Sequence, residues 1–268
     1  MYYNIKIGIL GQWKKPIIVI CVIILFCFGF YNNIQSTETL KSSFFDYYIY
    51  IFQGEAAASL NRDAPYVLPV IPILLWILLS FCVGDFPVQE LQTQAEQTLL
   101  RCKNRSSWWL SKTIWNAIIV LLFYISIVCT VLIFSVCTGT QQTLTPNYFL
   151  HQLLFTNPPN LSVAFIIASI IVPIVVSISL TQMQLTLSLI VGSVGSYLVI
   201  FAYFICAAYI NSPWFIGNGM MLIRNRFFTD LGCSSSALIT ISIVYWIVSF
   251  LVGRLIFRRY NILKKMQE

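Results

Sequence analysis

The sequence predicts an all-α, polytopic membrane protein, and three observations lead there. Of its 268 residues 58% are apolar and only 9% are charged, where a soluble domain carries about 25% charged residues. Mean hydropathy is +0.81. From Thr113 to Ile223 there is not one Asp, Glu, Lys or Arg, and water-facing loops of that total length rarely avoid charge. An ordinary soluble globule is therefore excluded.

Crossing the hydrocarbon takes roughly 20 largely apolar residues in a helix. Six segments qualify: 16–34, 65–85, 114–137, 161–180, 185–210 and 237–257. Lys14 and Lys15 before the first give it the look of a signal peptide. Its exit, Phe30-Tyr31-Asn32-Asn33, lacks the small residues that cleavage needs, so an uncleaved span is expected. The fourth and fifth form one uncharged run from Leu161 to Ile210, far too long for one crossing at about 1.5 Å per residue. The polar cluster Thr181-Gln182-Met183-Gln184 is the expected turn. Gly192 and Gly195 offer a competing break and are read instead as a close-packing face. Pro173 should kink the fourth span, with neighbours satisfying the backbone it disturbs.

Charge then orients the chain. The net charge is +7, and Lys and Arg collect in cytoplasmic loops. With the N-terminus inside, the inner segments hold Lys6, Lys14, Lys15, Arg101, Lys103, Arg105, Lys112, Arg254, Arg258, Arg259, Lys264 and Lys265. Only Lys41, Arg62, Arg224 and Arg226 fall outside. Both termini are thus expected in the cytoplasm, in a single transmembrane domain over 1–268. No basic run is interleaved with stacking aromatics in a polar context, so no nucleic-acid partner is expected.

The chemistry the chain lacks narrows its function. Ion-coupled transporters keep ionisable groups within their spans, and the central spans have none. His151 is the only histidine and lies in an outer loop, so neither a His-Glu-x-x-His metal site nor a Ser-His triad can be built. No phosphate-binding loop exists. The eight cysteines contain no Cys-x-x-Cys and read as small buried hydrophobes, with a Cys137–Cys233 bridge across the outer surface conceivable. No catalytic residue, metal site or cofactor is expected in this chain, and transport would need energy from another subunit.

The most informative stretch runs from Gly84 to Lys112. Pro87 suits a helix N-terminus, and Val88, Leu91, Ala95 and Leu99 recur at helical spacing. Glu90 and Glu96 come early, and Arg101, Lys103 and Arg105 late, which complements the helix dipole. An amphipathic helix along the inner face is expected, ending near Asn104. Arg105-Ser106-Ser107-Trp108-Trp109-Leu110-Ser111-Lys112 then re-enters the membrane, its tryptophans at headgroup depth. A mere interfacial anchor and a surface that docks a soluble partner both fit this pattern.

At these residues the chain resembles the membrane permease subunits of ABC transporters, in the short six-span "type two" export class. Gly84, Asp85, Phe86 and Glu90 match the segment after the second span of such permeases. Arg105, Trp108, Trp109, Ser111 and Lys112 match the approach to the third. Gly217-Asn218-Gly219-Met220-Met221 before Arg224 is similar to the polar-aromatic segment between the last two spans. The resemblance implies a multi-pass exporter subunit in a cell membrane, bacterial plasma membrane by kind. It would pair with a second permease chain, identical or related, and be driven by a dimer of cytoplasmic ATPase subunits that hold ATP and magnesium. The docking and coupling residues would be Val88, Glu90, Leu91, Ala95, Leu99, Arg101 and Arg105.

Residues 2–15 place Tyr2, Ile5, Ile9 and Trp13 on one helical face, an interfacial helix before the first span. Trp13, Trp108, Trp109 and Lys112 are the expected membrane-interface anchors. The outer segment 211–236 reads either as a gate above the pathway or as a folded-over loop, with Arg224 and Arg226 holding lipid headgroups or pairing with Asp230. Ser177, Ser179, Thr181 and Gln184 either line a neutral path or hydrogen-bond between helices. A neutral, aromatic-rich path suits an amphipathic or hydrophobic cargo such as a peptide, antimicrobial or lipid. The alternative is a non-transporting scaffold, an immunity or sensor protein whose acidic, Tyr-rich loop Ser36–Pro65 binds an external cationic peptide.

Overall fold

A computed structural model describes residues 14–35, 42–56, 67–84, 90, 105–147, 163–228 and 232–259. Among them stand six α-helices: α1 (Lys14–Gln35), α2 (Phe44–Phe52), α3 (Val70–Gly84), α4 (Arg105–Cys137), α5 (Val163–Tyr209) and α6 (Ser235–Arg259). Two short 3₁₀ turns, Ile216–Met220 and Leu222–Arg224, lie between α5 and α6. The chain is all-α, and α1, α4, α5 and α6 are long and apolar enough to cross a membrane. The apolar α3 is shorter, at 15 residues. It starts at Val70 rather than near 65, just after Pro69, and tolerates Pro72 because a first turn needs no N–H there. At its other end α4 begins well before 114, so the stretch expected to lead into the third span forms that helix's first turns.

The long α5 corrects the expected turn. The helix continues unbroken through Thr181–Gln184 and breaks at Gly192, where φ is 78° and ψ is 175°. Only glycine takes that backbone without steric cost. The limbs on either side, 163–191 and 193–209, fold back on each other. Gly217 lies against Phe204 and Ala207 while Gly219, two residues on, lies against Val172 and Val176. On a straight helix Val172 and Ala207 would be about 50 Å apart, so the run is a helical hairpin. Thr181, Gln182 and Gln184 do not turn the chain because each has a hydrogen bond that suits a packed helix: Thr181 to the Ser177 carbonyl, Gln182 to Thr113 and Gln184 to Ser80.

Pro173 is provided for as expected. Its ring leaves the carbonyl of Ser169 without the usual helical N–H donor. Tyr48 of α2 donates to that carbonyl at 3.2 Å, and Tyr124 of α4 donates to the Pro173 carbonyl at 3.0 Å. Contacts between helices also fix two poles. Lys15, Phe81, the start of α4, Gly192 and the end of α6 gather at a basic pole. The end of α1, α2, the end of α4, the 3₁₀ turns and the start of α6 form the far pole. There α2 was not expected as a helix. It is a nine-residue aromatic helix, started by a capping box in which the Asp46 carboxylate accepts from the Ser43 N–H and hydroxyl at 2.8 and 2.9 Å.

Candidate functional site

At the basic pole the first turns of α4 pack antiparallel against the last turns of α6. Trp108 stacks on Phe257 at 4.4 Å between ring centroids. Trp109 donates its indole N–H to the Phe250 carbonyl at 2.9 Å. Gly253 of α6 makes room for that ring, since a Cβ there would lie 2.1 Å from Trp109. Arg105 donates to the Arg258 carbonyl at 3.0 Å, and Arg254 to the Ser106 hydroxyl at 3.4 Å. Trp108 and Trp109 are 0% and 1% exposed. They are enclosed by protein, and a glycine on the opposing helix makes that burial possible.

Lys112 lies one turn beyond Trp108 and is 1% exposed. Its ammonium is ion-paired with the carboxylate of Glu90. The other oxygen of Glu90 accepts from the Trp108 indole at 3.4 Å, and the Lys112 Nζ sits 5.4 Å from the centroid of that indole. Glu90 is 10% exposed at its side chain. Lys112 is thus held inside the protein. A bare ammonium so deep would cost several kcal/mol; a carboxylate and an aromatic face lower that cost. The geometry joins the segment after α3 to the base of α4, and through Trp108 and Trp109 to α6.

The remaining expected residues are dispersed. Ser177, Thr181 and Gln184 are each 0% exposed. Ser177 meets the Tyr124 hydroxyl at 2.8 Å and Gln184 accepts from Ser80 at 2.5 Å. Ser179 and Thr186 donate to the Ser242 and Ser249 carbonyls of α6 at 2.8 and 2.9 Å. Within one chain they join helices and open no path. Arg224, 2% exposed, is at the far pole. Its guanidinium donates to the carbonyls of Ala207 and Ala208, to the Asn218 side-chain oxygen at 2.6 Å and to the Glu55 carbonyl at 2.8 Å. The last carbonyls of a helix lack internal donors and carry the negative end of its dipole, so Arg224 caps α5 rather than meeting headgroups. Arg226 is exposed. Trp13, Val88, Leu91, Ala95, Leu99, Arg101, Asp85, His151 and Asp230 lie outside the described residues.

Within the segment between α5 and α6, Ile216 to Leu222 fold inward and are buried between the limbs of α5. Cys137 and Cys233 are both free, and Cys233 is buried with its sulfur 3.3 Å from the Asn211 side-chain oxygen, so no bridge forms between them. Among the described residues no group of three His, Cys, Asp or Glu could hold a metal ion.

A family model covers nearly all of this architecture. It matches residues 17–263 and is described as a protein of unknown function, DUF2705. The chain belongs to the DUF2705 family. No curated protein and no solved structure matches it significantly. The region that matches DUF2705 includes Glu90 and Lys112. Sequence reasoning named both residues but not their pairing, since 22 positions separate them. It missed Gly253 and Tyr124, and took Asp46 only as one acid of the outer loop Ser36–Pro65. For Asp46 the Ser43-x-x-Asp46 spacing was a usable signal.

Proposed function

We propose that the chain is the permease subunit of an ATP-driven exporter, with the basic pole in the cytoplasm and six membrane-crossing limbs. Four are the long helices, with α5 counted as a hairpin of two, and the fifth and sixth limbs come from that count together with α3. One observation carries the reading: the Glu90–Lys112 pair unites the two halves of the motif that resembles ABC permeases. A force on the segment around Glu90 would pass to α4, then through Trp108 and Trp109 to α6. From there the Ser179 and Thr186 hydrogen bonds lead to α5. Glu90 pairs with this chain's own Lys112 and Arg105 with its own Arg258 carbonyl, so they brace the coupling segment, and ATPase docking falls to Val88, Leu91, Ala95, Leu99 and Arg101. Cargo would pass between two such chains, because Ser177, Ser179, Thr181 and Gln184 within one are spent on packing. An amphipathic or hydrophobic cargo suits that lipid-facing route.

Affinity purification of the tagged full chain from its source cells should retain a nucleotide-hydrolysing subunit. In vesicles the complex should move cargo only with ATP, and Glu90→Lys should lower transport about tenfold or more while ATP hydrolysis continues. Purification without any nucleotide-binding protein, or uphill transport without nucleotide, would overturn the proposal.

A further inference from the structure

A groove of about 340 Å³ opens between α1, α3 and α4 at the basic pole, lined by Lys15, Pro16, Val19, Cys82, Ile119, Leu122, Phe123, Ile125 and Ser126. Leu122 and Ile125 are 43% and 56% exposed, so its wall is continuous with the outer, lipid-facing surface of α4. Lys15 is the one charged residue among those lining it. Its ammonium donates to the Phe81 carbonyl at 2.7 Å and lies 4.6 Å from the centroid of the Phe81 ring. That fixes the cation at the groove's end rather than leaving it to swing along α1.

Depth follows from the hydrogen bonds between helices. Ser80 beside Phe81 meets Gln184, and Gln182 meets Thr113. Lys15 is therefore level with the region of Thr113, and Ser126 lies 13 residues further along α4. The groove's wall on α4 runs from Ile119 to Ser126, seven residues and so about 10 Å at 1.5 Å per residue, leading away from the basic pole. That length takes the headgroup-proximal part of an acyl chain, the remainder lying along the exposed apolar surface of α4. A fixed ammonium at interface depth with an apolar channel leading inward from it matches one class of molecule, a phospholipid with a net negative headgroup.

We propose that this groove binds one anionic phospholipid of the inner leaflet, its phosphate at Lys15 and one acyl chain along α4 to Ser126. The bound lipid would complete the wall between α1 and α4. The inference is independent of any ATPase partner and would survive the failure of that proposal.

Native mass spectrometry of the full chain in detergent, titrated with dioleoyl-phosphatidylglycerol or dioleoyl-phosphatidylcholine, tests it. The native chain should retain one phosphatidylglycerol about fivefold or more tightly than phosphatidylcholine. Lys15→Gln should bring the two within about twofold. Ser126→Trp, which fills the groove, should weaken retention of both. Equal retention by the native chain, or a preference that persists in Lys15→Gln, overturns the proposal. So does undiminished retention by folded Ser126→Trp; should that variant not fold, the Lys15→Gln comparison alone decides. A second copy of the chain covering the groove would appear as a dimer that loses lipid on association, and would also overturn it.

Discussion

Lys112 and Arg224 are buried to the same degree at opposite poles, yet they are held in different ways. Lys112 meets a side-chain carboxylate, Glu90, 22 positions away in the chain, with an indole closing the third side. Arg224 meets backbone carbonyls of Ala207, Ala208 and Glu55 and the amide of Asn218, all fixed by helices and turns. Arg suits the second task because its planar fork offers five donors in set directions, and Lys the first because a compact charge needs only one counter-charge. An ion pair between two separate segments can part and re-form, whereas a guanidinium caged by carbonyls cannot leave without unfolding its surroundings. The basic pole is thus built as a joint and the far pole as a cap.

The sharpest way to break this contrast is at Lys112. Lys112→Met leaves the Glu90 carboxylate buried without its cation, and should cost about 3–5 kcal/mol. Combining it with Glu90→Gln removes both charges and should recover most of that loss. Thermal unfolding of the purified chain in one detergent would measure both. If the double variant is no more stable than Lys112→Met, the pair is not the joint described.

Arg224 should behave otherwise. Arg224→Met abandons the terminal carbonyls of α5 and the Asn218 oxygen together, and should cost about 3 kcal/mol by the same measurement. No single second substitution should restore it, because most of its acceptors are main-chain atoms. Arg224→Lys should rescue only a part, since an ammonium cannot reach carbonyls on both sides. Full recovery in the lysine variant would mean that charge alone, and not the shape of the cage, holds the far pole.

This contrast also marks what could be read from the residues alone. Apolar length and the missing charges disclose the helices, because lipid demands both, and Pro173 announces that neighbours must serve its carbonyls. The break in α5 was misplaced because Thr181, Gln182 and Gln184 are polar in either setting. In water they would favour a turn, but between packed helices they favour one another's hydrogen bonds. The burial of Trp108 and Trp109 was hidden for a related reason. Tryptophan prefers the headgroup layer unless a partner makes room, and the room here is Gly253, 144 positions beyond Trp109. Glu90 and Lys112 were visible as motif residues, while their pairing depends on how the chain returns to α4.

Glu55 gives the smallest effect and the finest discrimination. Burial raises its carboxyl pKa, and the nearby Arg224 charge opposes that rise without cancelling it. An acid whose pKa is higher in the folded chain than in the unfolded one stabilises the fold below its unfolded value. That contribution is lost as pH rises through the folded value. At neutral pH the ionised Glu55 side chain therefore weighs slightly against the fold, although its main-chain carbonyl supports Arg224. Glu55→Gln keeps the carbonyl and removes the charge, so the melting midpoint at pH 7 should rise by about 1 °C, with the gain vanishing near pH 4. A fall at pH 7 instead would mean that Arg224 depends on this carboxylate. The far pole would then be held by an ion pair after all, and the difference between cap and joint would be lost.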